Sequence, residues 1–526
     1  MPNHLTHTDL WETFTAASRA VDDLDTLFAQ DSNRVKNFSI EHNKLYCDFS
    51  KNHLTLSIRN QLVALAEQQD LRHAISSLSS TTSLSNHVLL RDPTSSAYHK
   101  TLADINMWCA NFNASQVYGV TGLAITDIVH LGVGGSFLGP FMVNSACTGQ
   151  NELPYKLHYA YAMDGNDLLK ILPRLNPSTS LFIVASKSFS TIDTLANADL
   201  ALKWLTNNLP YSKEQILAHH FLGISASSNN MTKWGIAADK QLLISNNTVG
   251  RYSIYSSMGL PIALHLGIAG FKQLLAGANS IDKHFIDADL AHNIPVMLGL
   301  LAVWNHNFMG FTNHTYLPYS SHLEYLPHYL QQMMMESLGK SYTQDNRAAD
   351  YLTGAVVFGE VGFAAQHSFF QLLHQGTGRV ACDFIAVSQS DINNCDDMLQ
   401  FQIDKQHQLT LANCFAQSRV LMLGSNTAES DANDVQQHIA GNNPSTTILL
   451  DKLNPFNLGS LIAIYEHKTF VESVIYNINP FSQDGVELGK KIARNLFNNS
   501  NLKDLDASSA ALINKCNAKQ VTSNVQ

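Results

Sequence analysis

The chain has 526 residues, 45% of them apolar and 14% charged, with a formal net charge of −10. That length exceeds what one ordinary hydrophobic core serves, so two or more domains are expected, and the acidic balance argues against a general nucleic-acid binder with a basic face. Seven scattered cysteines without a C-x-x-C pair, an N-terminus (MPNHLTHTDLWETF) lacking a secretory pattern, and a longest apolar stretch of only Pro295 to Trp304 together predict a soluble protein of the reducing cytoplasm, with no membrane partner.

In chain order, the first hundred residues read as helices, with NQLVALAEQQDLRHAI showing apolar residues at helical spacing. A Ser/Thr-rich stretch from Ser76 to Ser85 reads as a surface loop. From Ala124 short apolar runs alternate with helical segments: AITDIVHLG and SLFIVAS as strands, IDTLANADLALKWL as a helix. After a helical stretch from Gly259 to Ala278, a second such block runs from about Asn293 to Lys490. Its strand candidates are YLTGAVVFGEVG, RVACDFIAVS and SRVLMLGS. Strands alternating with helices predict parallel sheets with helices on both faces. The tail beyond Asn499 is polar, with a short helix expected from Ala507 to Lys515.

The segment HLGVGGSFLGP, His130 to Pro140, has the look of a phosphate loop between a strand and a helix. It carries the G-x-G of a dinucleotide site, but the third glycine position holds Phe137, and no G-x-x-x-x-G-K-[ST] occurs. A second junction, VASKSFSTIDT, crowds Ser186, Lys187, Ser188, Ser190 and Thr191 after an apolar strand. Alone it reads as a Ser-rich helix cap. Paired with Gly135 and Ser136 on a neighbouring strand, it predicts a small phosphate site at strand C-termini, better suited to a sugar phosphate than to a nucleotide.

Glu336, in YLQQMMMESLGK, borders a helical face of Leu330, Met333, Met334 and Ser337 predicted to face the core. Its ordinary reading is an i,i+4 surface pair with Lys340, worth about 0.2–0.5 kcal/mol. A carboxylate partly desolvated beside methionines is also the kind of group that serves as a general base. His367 and His374 lie seven apart and lack metal-site spacing, so no metal is expected. Gln483 is placed in a turn before a helix carrying Lys490, with Glu487 and Lys491 as a surface pair. Arg251 sits in a Gly-Arg-aromatic-Ser turn entering a helix.

Taken together, these stretches resemble the glucose-6-phosphate isomerase (phosphoglucose isomerase) family. DFSKN, GVGGSFLGP, SKSFSTIDT, VGRYSIYSSMGL, QQMMMESLGK, AAQHSFFQLLHQGT, YEHKTFV and QDGVELGKKIA follow one another in the family's order from Asp48 to Ala493. The resemblance implies an α/β fold of two sugar-isomerase-type domains, each a mainly parallel sheet flanked by helices, with helical N-terminal and C-terminal extensions. The expected divisions are 1–105, 106–280, 281–495 and a 496–526 tail. It further implies a homodimer, no cofactor and no metal, and interconversion of glucose 6-phosphate and fructose 6-phosphate in glycolysis and gluconeogenesis.

By the same resemblance Glu336 is the base moving a proton between C2 and C1. His367, reaching in from the partner subunit, and Lys490 open the sugar ring, and Arg251 is the cation beside the enediolate. Ser186, Lys187, Ser188 and Thr191 hold the phosphate, while Gly135, Ser136, Gly250, Gln332 and Gln483 make further substrate contacts. The chain departs from the family at Ser188 and Ser190 (usually Thr), Asp193 (Glu), Val249 (Gly), Leu338 (Asn) and Asp484 (Trp). GEVGFAA replaces GEPGTNG, and the stretch from Ser76 to Ser96 lacks N-x-T-E-x-R. A non-catalytic sugar-phosphate sensor would keep the hydroxyl cradle without needing Glu336, His367 and Lys490 together. An isomerase for another aldose phosphate such as mannose 6-phosphate also stays open, while the failed fingerprint at Phe137 disfavours a nucleotide-binding oxidoreductase.

Overall fold

A computed structural model describes residues 5–80, 83–147, 153–390, 396–427, 435–499 and 505–523. It has two compact units, one running to Phe481 and the other beginning at Ser482. Among its described residues the first holds eleven strands: β1 (Ser39–His42), β2 (Leu45–Asp48), β3 (Asp127–Leu131), β4 (Lys156–Ala160), β5 (Ser180–Ala185), β6 (Phe221–Ser225), β7 (Gln241–Leu243), β8 (Asn313–Pro318), β9 (Val356–Gly359), β10 (Val380–Val387) and β11 (Ser445–Leu450). They form an all-parallel five-stranded sheet, β4-β3-β5-β6-β7, and a six-stranded sheet, β1-β2-β11-β10-β8-β9. In the second sheet only the β1-β2 hairpin and the β2-β11 edge are antiparallel.

The central strands β5 (SLFIVA) and β6 (FLGIS) read as nearly unbroken apolar runs because both their faces are covered. Along β5, Leu181, Ile183 and Ala185 enter the main core. Phe182 and Val184 enter a second core with Ala198, Ala201 and Leu205 of the Ile192–Asn208 helix. In β10, Phe384 and Ala386 likewise face away from Ile385 and Val387. This is the α/β architecture of two mainly parallel sheets flanked by helices. Helices Leu260–Asp287 and Pro455–Ile475 pack closely, with the Ser460 hydroxyl donating to the Gly277 carbonyl at 3.0 Å. The span Ser257–Asp287 is long and apolar enough to cross a membrane, but most of it is buried within the protein, as in a core helix.

Three readings of the sequence need correction. The first hundred residues are not helical throughout: Asn43 and Lys44, at φ +47° and +65°, close the β1-β2 hairpin, which joins the second sheet. Neither residue is the glycine that announces such a turn. SRVLMLGS is the end of the Asp397–Leu423 helix, not a strand. That helix is capped by Asp396, which accepts from the Met398 and Leu399 amides. It buries Cys414, Ser418 and Leu421 at helical spacing, a pattern that a four-residue apolar run cannot reveal. The Ser76 to Ser85 loop begins later than expected, since a helix covers Leu71–Leu78.

The second unit carries helices Glu487–Asn499 and Ala507–Ser523. The second of these is longer than the segment expected near the C-terminus.

Candidate active site

The loop after β3 is Gly132 to Phe137, with a single helical turn over Gly134–Ser136 before helix Leu138–Ala146. His130, buried in β3, contacts the Ser136 carbonyl through Nε2 at 2.7 Å, and burial pushes its pKa down to about 4. The neutral imidazole pins the far end of the loop. Gly135 passes so close to the 250–251 turn that a Cβ on it would overlap the backbone of Gly250 and Arg251. The Ser253 hydroxyl donates to the Gly135 carbonyl at 3.3 Å. The loop and the arginine turn are therefore one packed unit, available only with glycine at 135.

The loop after β5, the strand beside β3, holds Ser186 to Thr191. Phe189 sits in the left-handed region at φ +47° with its ring buried, while Ser188 and Ser190 are exposed. The Ser186 and Thr191 hydroxyls bond each other at 3.0 Å, and those of Ser188 and Ser190 at 2.8 Å. From the side the loop is tied down by the Ser225 hydroxyl on the Lys187 carbonyl and by the Asn230 amide on the Ser188 carbonyl. Thr191 is the N-cap of the Ile192–Asn208 helix, and its side chain does not cap the helix, so the partial positive charge of the helix N-terminus lies at the end of this hydroxyl-bearing loop. Half-buried Lys187 has its pKa lowered, first by burial and then by the positive charge of Arg251. Two cations held in each other's field make a place for an anion.

Arg251 is buried beside Glu336, with Nη1 at 3.4 Å from the Glu336 carboxylate. The same carboxylate oxygen accepts from the Gln332 amide, one helical turn earlier, at 3.1 Å. The other polar atom of Gln332, Oε1, is buried without a hydrogen-bond partner among the described residues. The Leu326–Leu338 helix carries both residues, and Leu330, Met333, Met334 and Ser337 face the core as the spacing predicted. Lys340 bonds the Glu336 backbone carbonyl at 2.6 Å.

One locus thus brings together Gly135, Gly250, Arg251, Gln332 and Glu336, with Lys187 in electrostatic reach. His367 does not join it within the chain. It is exposed on the turn between helices Gly362–Ala365 and Phe370–Gln375 and is not among the described groups contacting Glu336 or Arg251. In the second unit, Gln483 stands just before the turn leading to the Glu487–Asn499 helix, as expected. There Lys490 pairs with Glu487 at 2.8 Å, whereas the sequence had suggested Lys491.

Ser337 was read only as a core-facing residue and Tyr252 only as the aromatic of the arginine turn, yet the Ser337 hydroxyl bonds both Arg251 and Tyr252. The available signal was a hydroxyl on an otherwise apolar helix face, since buried polar groups are there to be paired. No group of three or more His, Cys, Asp or Glu poised for a metal occurs among the described residues.

The family model described as phosphoglucose isomerase matches residues 48–513. The chain is 43% identical over 517 residues to a glucose-6-phosphate isomerase of Psychrobacter cryohalolentis, covering 93% of each. It is also 43% identical over 520 residues to one from Acinetobacter baumannii strain AYE, again covering 93% of each. Among solved structures it is similar to the glucose-6-phosphate isomerase of Chlamydia trachomatis, at a TM-score of 0.84 and 24% identity, covering 98% of this chain and 100% of that one. The chain belongs to the phosphoglucose isomerase family.

Proposed function

We propose that this chain is an aldose–ketose isomerase that interconverts glucose 6-phosphate and fructose 6-phosphate, with Glu336 as its base. The observation that carries this reading is the Glu336 carboxylate, held between Gln332 and the buried Arg251 beside the Gly135 loop. The phosphate is bound by Ser186, Lys187, Ser188 and Thr191, with Gly135, Ser136, Gly250, Gln332 and Gln483 contacting the sugar. Remote binding of this kind orients the reacting carbons.

The open-chain aldose gives its C2 proton to Glu336, and the electron pair left behind forms the C1–C2 double bond while O1 becomes anionic. After the O2 proton moves to O1, Glu336 returns its proton to C1, and the C2 ketone forms. Charge thus gathers on the enediolate oxygens during the reaction, and a fixed cation such as Arg251 acts most strongly there. His367 and Lys490 form the pair that opens the ring, passing a proton to the ring oxygen and taking one from the C1 hydroxyl.

In this reading His367 serves the site of a partner subunit in a homodimer. Its exposure, between exposed Phe363 and Leu372, supports that assignment. The setting is cytoplasmic glycolysis and gluconeogenesis, without metal or organic cofactor. The test is conversion of fructose 6-phosphate to glucose 6-phosphate in excess chelator, by wild type and Glu336→Gln. Fast wild-type turnover with a drop of about 10²–10⁴-fold in the variant is expected. A wild type that binds the sugar phosphate without converting it would identify a sensor instead.

A further inference from the structure

Glu336 and its chain neighbour Ser337 differ in exposure on the Leu326–Leu338 helix: the carboxylate is partly exposed and the hydroxyl fully buried. The Ser337 hydroxyl accepts the Arg251 Nε–H at 2.7 Å and shares a hydrogen bond with the Tyr252 hydroxyl at 3.0 Å. The Arg251 Nη2 donates to the Pro480 carbonyl, and Nη1 faces Glu336. Tyr329, on the same helix, donates its hydroxyl to the Arg251 backbone carbonyl at 3.1 Å. One helix therefore carries the base and also grips the arginine at its backbone and at its Nε edge.

The acceptor at Nε is neutral. A carboxylate in that place would cancel the charge, whereas a hydroxyl directs the guanidinium and leaves the charge intact. Serine offers two acceptor sites and one donor, so it can hold both Arg251 and Tyr252. We propose that Ser337, oriented by Tyr252, is a positioning residue that fixes the rotation of the Arg251 guanidinium so that Nη1 stays beside Glu336, where the enediolate forms. This rests on the assignment of Arg251 as the cation beside the enediolate.

The test compares kcat and KM for fructose 6-phosphate in wild type, Ser337→Ala, Tyr252→Phe, Arg251→Lys and each of the first two combined with Arg251→Lys. Ser337→Ala is expected to lower kcat by about 10–100-fold, since small misplacement of a catalytic group costs up to about 10²-fold. KM changes little, because the arginine acts mainly on the transition state. Tyr252→Phe gives a smaller loss in the same direction. In the Arg251→Lys background both second substitutions leave kcat unchanged, because lysine has no Nε–H to hold. If Ser337→Ala fails to fold, the Tyr252→Phe pair carries the same comparison.

Wild-type kcat in Ser337→Ala, or losses of equal size in both backgrounds, would overturn the proposal. If Arg251→Lys alone keeps wild-type kcat, it is the assignment of Arg251 that fails.

Discussion

Arg251 and Glu336 meet at 3.4 Å, Nη1 to Oε2, with the arginine buried and the glutamate three-quarters covered. They come from segments 85 residues apart, joined by the packing of the 250–255 turn against the Leu326–Leu338 helix. Arg251→Ala is therefore expected to lower kcat far more than it raises KM. The loss is about 10²–10³-fold, the range seen on removal of one stabilising donor. Steady-state kinetics decides this, and a pure KM effect would mean that Arg251 only binds the ground state.

Gly135 tests the packing of the two loops. A methyl there meets backbone, not a flexible side chain, so neither partner gives way cheaply. Gly135→Ala is expected to cost about 1–3 kcal/mol of stability and to reduce kcat/KM by up to about 10²-fold through displaced site groups. Chemical denaturation and kinetics on the same preparation read both quantities.

A buried charge cluster lies in the core near Tyr252. Arg91 bonds Asp282 through Nε at 2.7 Å and Nη2 at 2.6 Å, and also reaches Glu466. One guanidinium cannot compensate two buried carboxylates. Burial pushes Glu466 up to about 7, while Asp282 overcomes its own burial through Arg91 and His467 and is held at about 2. The folded Glu466 binds its proton more tightly than the unfolded one, so its contribution is fully present below about pH 4.5 and fades as pH rises through 7. The Asp282 contribution is instead constant over that window and fades only as pH falls through 2. Glu466→Gln should therefore gain stability relative to wild type between pH 5 and 7, by at most about 1.4 kcal/mol per pH unit. Urea unfolding across that range checks it, and parallel curves for the two proteins would refute it.

If His367 serves the partner's site, two inactive variants complement each other. Glu336→Gln and His367→Ala subunits, each inactive alone, are unfolded, mixed and refolded together. Half of the dimers are then hybrids with one intact site, which restores about a quarter of wild-type activity. A mixture as inactive as its components would place His367 within its own subunit's chemistry.

The sequence made some of this plain and hid the rest for physical reasons. Strand β5 is an apolar run, and β3 and β10 are mostly apolar, because parallel strands are covered on both faces, and the loops after β3 and β5 carry their chemistry in glycines and hydroxyls. The β1-β2 hairpin was hidden because Ser39–His42 alternates poorly and its turn uses Asn43 and Lys44. The run VLML looked like a strand because four residues do not resolve a period. Around Arg251, one partner is the Pro480 carbonyl, a backbone group that leaves no trace in residue type. Ser337 differs: its hydroxyl on an apolar face was visible, but its partner was 86 residues away.

Proton transfer by Glu336 is the step on which the isomerisation turns, and isotope exchange measures it directly. Fructose 6-phosphate is incubated in deuterium oxide with wild type or Glu336→Gln, and deuterium at C1 of the recovered sugar is followed by NMR. Incorporation is expected with wild type, and a rate lower by at least about 10²-fold with the variant. Incorporation at the wild-type rate in Glu336→Gln would contradict it, because another group would then be moving the proton.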